Sequence, residues 1–205
     1  MTKMKTGQMD SMDCRIASSL KESASIKEAI AKSKINEIKD VIKATVAAYK
    51  RGGKVVLFGN GGSAADAQHI ACELMSRLRI ERQALPAIAL TTNTSVLTAV
   101  ANDYEYAAVF SRQVEALVNE SDVVIAISTS GNSLNVLKAV RTAKTKGAKT
   151  IGLTGGDGGE LARIADIVLV VPSNNTPRIQ EAHITIGHII CELVEEEMAK
   201  DNLQK

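Results

Sequence analysis

The chain changes its hydrophobic period at Gly52-Gly53. Before that point, from about Asp13 to Arg51, apolar residues such as Ile35, Ile38, Ile42 and Val46 recur every three or four positions, the spacing of a helix with one buried face. A break near Ser33 divides the stretch into two predicted helices. After it come five short, nearly continuous apolar runs: KVVLF (54–58), PAIAL (86–90), DVVIAIS (122–128), KTIGLT (149–154) and DIVLVV (166–171). Such runs read as strands buried on both faces, as a parallel sheet requires. Helical patterns or long crossovers separate them, and a helix from about Arg178 to Lys200 follows the last. Five βα units in series predict an α/β fold: a doubly wound, five-stranded parallel sheet flanked by helices. Residues 13–205 read as one domain that includes the N-terminal helices, and residues 1–12 as a flexible arm.

Composition removes several function classes. Aromatic residues make up 2% of the chain and tryptophan is absent, so stacking platforms for nucleic acid are scarce. A formal charge of +2, spread along the chain, adds no electrostatic footprint for nucleic acid. The three cysteines, Cys14, Cys72 and Cys191, form no C-x-x-C pair and suit a reduced cytoplasm. No apolar run reaches the roughly 18 residues of a membrane span, and the polar start MTKMKTGQMD lacks the apolar stretch of a signal peptide.

In such sheets ligands bind beyond the carboxyl ends of the strands. Gly59-Asn60-Gly61-Gly62-Ser63-Ala64 satisfies G-x-G-x-x-A after a strand and before a helix, the context of a dinucleotide turn. A dinucleotide site also needs an acidic residue at the end of the second strand, where Thr91 and Thr92 stand instead. Phosphate or carbohydrate binding, or a merely tight turn, are the other readings. Ser128-Thr129-Ser130-Gly131-Asn132-Ser133 lies between a strand and a helix. Its hydroxyls and the helix N-terminus favour a phosphate cradle over an ordinary serine cap. In TGGDGG, Asp157 reads as a turn cap.

The three histidines lie on two predicted helices. His69 and Glu73 are i and i+4, on one face and roughly 6 Å apart. Gln180 and His188 are eight positions apart on the last helix, about 12 Å along the axis, and their spacing alone makes no site. If the two helices meet, these four residues offer donors for zinc or another divalent metal. They equally suit proton transfer beside a sugar carbonyl. His183 reads as an ordinary interior imidazole. Asp103 reads as a site carboxylate or as the end of a helix.

GNGGSAADAQHIACE (59–73), AND (101–103), STSGNS (128–133), LTGGDGGELA (153–162) and TPRIQEAHITIGH (176–188) together resemble the sugar isomerase (SIS) domain family. Within it they resemble the phosphoheptose isomerases, and the likeness runs from about Ala24 to Met198. The resemblance implies conversion of sedoheptulose 7-phosphate to D-glycero-D-manno-heptose 7-phosphate, the first step towards activated heptose for lipopolysaccharide or another surface glycan. It implies that Asn60, Gly61, Gly62, Ser63, Ser128, Thr129, Ser130 and Ser133 hold the substrate and its phosphate. Glu73 and His188 match the family's acid/base pair, while Asn102, Asp103 and Gln180 match its other polar site groups. His69, Glu73, Gln180 and His188 match positions through which some members bind zinc. A homotetramer with sites at subunit interfaces is implied as well, with the apolar N-terminal helices as the assembly surface; truncation before Val41 should then dissociate it. Pro177 stands where some members carry an aspartate, so no role transfers there. The initiator-associating adaptors that bind the replication protein DnaA are similar over SAADAQH and ALTTNTSVLTAVAND, but lack equivalents of Glu73 and His188. They supply a non-catalytic alternative.

Overall fold

The computed structural model describes residues 11–202. Two long helices, α1 (Ser11–Ser33) and α2 (Ile35–Lys50), precede the sheet. The chain then runs through β1 (Val55–Gly59), α3 (Gly62–Met75), β2 (Ala87–Ala89), α4 (Thr94–Asp103) and a 3-10 turn (Tyr106–Ala108) to α5 (Ser111–Leu117). There follow β3 (Val123–Ile127), α6 (Leu134–Thr145), β4 (Lys149–Gly155), α7 (Leu161–Ile164), β5 (Ile167–Val171) and α8 (Thr176–Asn202). All five expected strands are present. The boundary expected at residue 12 falls inside α1, which is already helical at Ser11; the first ten residues of the expected arm lie outside the described residues. Helix α8 begins at Thr176, earlier than its periodicity predicts. Pro177 is tolerated there because first-turn N–H groups have no helical acceptor to lose.

All pairings are parallel and the strand order is β2-β1-β3-β4-β5. Ile125 lies opposite Leu57 on one side and Ile151 on the other. Alternate strand residues face opposite sides, and both sides are covered. Val55, Leu57, Ile125 and Leu153 pack under α1, α2, α3 and α8, while Val56, Phe58, Val124 and Ala126 pack under α5 and α6. In β1 and β3 neither face reaches water, and the edge strand β5 is half-buried at Ile167, Val168 and Val170, so the strands read as nearly unbroken apolar runs. Ile26 and Ile30 of α1 and Ile38 of α2 belong to the first of these cores. Truncation before Val41 therefore strips core side chains and tests folding rather than assembly.

At the amino ends of the strands, Asp122 is fully buried and accepts the backbone N–H groups of Lys54 and Asn119 at 2.9 and 2.8 Å. Its other contact is the Lys54 ammonium at 2.7 Å. At the carboxyl ends the chain reverses its direction of travel across the sheet, with β2 on one side of β1 and β3 on the other. The crevice between β1 and β3 is thus the topological switch point, where open α/β sheets take their ligands. Both the glycine turn and the serine loop open there. No helix among the described residues is long and apolar enough to cross a membrane, and the three cysteines are free thiols.

His183 is the interior imidazole its surroundings predicted. It is fully buried on α8, its Nε2 lies 3.1 Å from the Thr154 carbonyl, and its Nδ1 has no partner. Burial pushes its pKa down to about 4, against the pull of the Thr154 carbonyl. The folded protein therefore refuses a proton that the unfolded chain accepts at about pH 6.5. His183 contributes stability in full above that pH, and the contribution is lost as pH falls towards 4. His183→Gln, which retains a donor for Thr154, is expected to lose less stability between pH 7 and pH 5 than the wild type in thermal melts. Equal losses would show that another group sets the slope.

Candidate active site

Helix α3 carries the first half of the site because β1 ends in a glycine turn. Gly61 takes a positive φ of 55° at the N-cap position, and Ser63 is buried in the first turn. The Asn60 amide is engaged on both sides. Its Nδ2 donates to Asn135 Oδ1 at 2.9 Å, while its Oδ1 accepts from Asn135 Nδ2 at 2.8 Å and the Tyr106 hydroxyl at 3.2 Å. This side chain ties the loop after β1 to the first turn of α6. Asn135 and Tyr106 were not singled out from the sequence; a polar residue in the first turn of an apolar helix was the available signal for Asn135.

In the serine loop, the ordinary serine cap is absent at Ser133. Ser133 occupies the N-cap position of α6 but makes no side-chain capping bond. Its hydroxyl instead lies 3.1 Å from that of Ser128, so both oxygens stand together before the helix N-terminus. Ser130 accepts the Asn132 N–H at 3.2 Å, and Thr129 offers its carbonyl to Gly155. Gly131 makes the tight loop possible: its φ is +66°, and a Cβ there would lie 2.0 Å from the Gly158 carbonyl oxygen. Asp157 caps its turn as expected, accepting from the Gly159 N–H at 3.0 Å.

Seven residues beyond Gly62, α3 meets α8. His69 Nε2 lies 3.2 Å from Glu73 Oε1 and 2.9 Å from His188 Nε2. The two rings meet edge to face. One donor atom from each of the three residues falls within 4.8 Å of the others. Gln180 lies elsewhere along the same helix crossing: a Cβ on Gly62 would sit 2.5 Å from its Nε2. Its amide therefore lies against the N-terminus of α3, beside the glycine turn, rather than in the three-residue cluster. Asn102 and Asp103 end α4, exposed, with Asn102 Nδ2 donating to Asp103 Oδ1 at 2.9 Å. Asp66, one turn before His69, was missed. Its Oδ2 is buried without a partner, and burial pushes its carboxyl up to about 6 against the pull of His69. The i, i+3 spacing to His69 was the signal.

Chemically, the loops at the switch point offer hydroxyls and helix N-termini that can hold an anion, and the α3–α8 crossing offers a carboxylate and two imidazoles that can move protons. The SIS domain family matches residues 20–155. The phosphoheptose isomerase of Sulfurimonas denitrificans is 53% identical over 92% of this chain and 97% of its own length. That of Clostridium acetobutylicum is 55% identical over 89% and 94%. Among solved structures, the phosphoheptose isomerase from Francisella tularensis superposes with a TM-score of 0.88 at 41% identity, covering 92% of this chain and all of that one. The enzyme from Neisseria gonorrhoeae gives 0.86 at 40%, over 91% of this chain and all of its own. These relatives favour the enzyme over the adaptor, and the chain belongs to the SIS domain family and, within it, to the phosphoheptose isomerases.

Proposed function

We propose that this isomerase converts sedoheptulose 7-phosphate to D-glycero-D-manno-heptose 7-phosphate in the cytoplasm, towards an activated heptose for a surface glycan. The observation that carries the proposal is the meeting of His69, Glu73 and His188 on one helix crossing, beside two hydroxyl-bearing loops at the switch point. Ser63, Ser128, Thr129, Ser130 and Ser133 take the phosphate, supported by the helix N-termini of α3 and α6. Asn60, Gly61, Gly62, Gln180, Asn102 and Asp103 line the path of the sugar. Glu73 removes a proton from C1 of the ketose and returns it to C2. His188 carries the hydroxyl proton from O1 to O2, the carbonyl passes from C2 to C1, and no atom is gained or lost.

The donor set also fits zinc. Two imidazole nitrogens at 2.9 Å need a proton or a cation between their lone pairs, and a carboxylate oxygen stands beside them. Zinc accepts such nitrogen and oxygen donors at about 2.0–2.2 Å. His69, Glu73 and His188 would hold it, and Gln180 would join as a fourth donor by turning its amide away from Gly62. When bound, zinc would supply a Lewis acid for the sugar carbonyl and the negative charge that develops on it, and Glu73 and His188 would then serve as its ligands in place of moving protons. The test is turnover of sedoheptulose 7-phosphate by purified protein, by the same protein after chelation, and after zinc is restored. Loss and recovery would support the metal; unchanged turnover after chelation would remove it. No turnover in any sample of folded protein would remove the isomerase.

The proposal includes a homotetramer. Ile35, Ile189 and Leu193 remain 50, 37 and 38% exposed around an apolar cleft between α1, α2 and α8, a surface that water disfavours and a second copy would cover. Ile35→Glu with Leu193→Glu leaves the buried core intact, so dissociation without unfolding is expected. Sedimentation velocity checks it, and an unchanged profile would rule out this face as the assembly surface.

A further inference from the structure

Helix α8 presents a row of side chains to α3 and to the connection that follows it. His188, Cys191 and Glu195 are spaced i, i+3 and i+7, along one helix face. His188 meets His69, and Cys191 Sγ lies 3.9 Å from the Ile70 carbonyl. Glu195 is enclosed by the segment between α3 and β2. Its carboxylate accepts the N–H groups of Leu78, Arg79 and Ile80 at 3.0, 2.8 and 3.1 Å. It also lies 3.1 Å from Arg82 Nε, and the two side chains are 1 and 2% exposed. The rest of the Arg82 fork reaches back to the end of α3. Nη2 donates to the Glu73 carbonyl at 3.1 Å, and Nη1 to the carbonyls of Ser76 and Gln83 at 3.3 and 3.1 Å. The Glu73 carbonyl belongs to the last turn of α3, whose carbonyls lack helical donors.

A buried ion pair is an inefficient way to stabilise a fold, because desolvating both charges offsets most of their attraction. What a buried arginine does supply is a rigid planar fork that serves several acceptors in one fixed geometry. Burial alone would raise the Glu195 pKa, but the three backbone donors and Arg82 outweigh it and hold the carboxyl below the usual range. The pair thus stays charged at neutral pH.

We propose that Arg82 and Glu195 are positioning residues for the isomerisation. They lock the last turn of α3, and with it Glu73, against the face of α8 that carries His188. The inference rests on the assignment of Glu73 and His188 to the chemistry.

The decisive variant is Arg82→Met combined with Glu195→Gln. Glutamine keeps an acceptor for the 78–80 backbone, methionine fills the space of the arginine stem, and no buried charge is left unpaired. A folded protein is expected, melting near the wild type, with KM for sedoheptulose 7-phosphate within about twofold because the phosphate loops are untouched. The kcat is expected to fall by about 10- to 100-fold, up to the loss that a 1 Å misplacement brings. Arg82→Lys, which keeps the charge without the fork, should show the same split between kcat and KM to a smaller degree. An unchanged kcat in the folded double variant overturns the proposal. So does a kcat deficit that vanishes when the assay is run well below the variant's melting temperature. Should the double variant not fold, Arg82→Lys decides by the same split: lowered kcat at unchanged KM supports the proposal and unchanged kcat overturns it. Absence of turnover in the wild type measured alongside overturns the isomerase reading and this proposal with it. Wild-type turnover with unaffected variants overturns this proposal alone.

Discussion

Glu73→Gln and His188→Gln are each expected to lower kcat for sedoheptulose 7-phosphate by about 10²–10⁴-fold, the range that a positioned acid or base contributes. Both substitutions retain size and polarity, and both sites face an open cluster in which the Glu73 side chain is 20% exposed and that of His69 is 48% exposed. Folding should therefore be little changed, and circular dichroism melts provide that control. The amide in either variant cannot accept a proton from carbon or pass one between oxygens. Because the proposed mechanism has the two groups act on the same pair of carbons, the double variant should lose much less than the product of the single losses. Near-normal kcat in either single variant would remove that residue from the reaction.

The largest stability effect is expected at the opposite end of the sheet. Asp122→Ala leaves the Lys54 ammonium and two backbone N–H groups without the carboxylate that joins them. Breaking a buried, hydrogen-bonded pair costs about 3–5 kcal/mol, and because the Lys54 side chain is 28% exposed the expected loss is at the low end, about 3 kcal/mol. Lys54 and Asp122 also share backbone bonds with the starts of β3 and β4, through Val123 N–H to Lys54 and Lys149 N–H to Asp122. The loss therefore falls on three strands at once. Asp122→Asn keeps an acceptor and should cost less, about 1–3 kcal/mol. Urea unfolding measures both, and a loss below about 1 kcal/mol for the alanine variant would mean that water replaces the carboxylate. Activity per folded molecule should not change, because the proposed site stands at the carboxyl ends of the strands.

Much of this architecture was legible in the chain because its determinants are local. The strands declare themselves by burial on both faces, and the helix pair His69–Glu73 by its four-residue spacing. What could not be read depends on partners far along the sequence. Asn60 carries the pattern of a ligand-binding loop residue, yet its amide is committed to Asn135, 75 positions away. The connection between α3 and β2 has no periodicity, and its shape comes from Glu195, at least 115 positions later. Gln180 and His188 share a helix, yet the crossing with α3 places only His188 in the cluster. Asp66 escaped notice because its lack of a hydrogen-bond partner exists only in three dimensions. The substrate itself came from family resemblance, since no residue spacing counts the carbons of a sugar.

The two histidines that meet in the cluster are 119 positions apart, and α8 is made after every strand. A chain that has released β5 but not α8 holds every strand and both hydroxyl loops in its sequence, yet it has no His188 and lacks the core side chains Ile179, Ile186 and Ile190. Docking of α8 brings in His188 and buries the Glu195 carboxylate in the same movement. On the proposed mechanism, the pairing of Glu73 with His188 and the closing of the core over the sheet therefore come from one docking step.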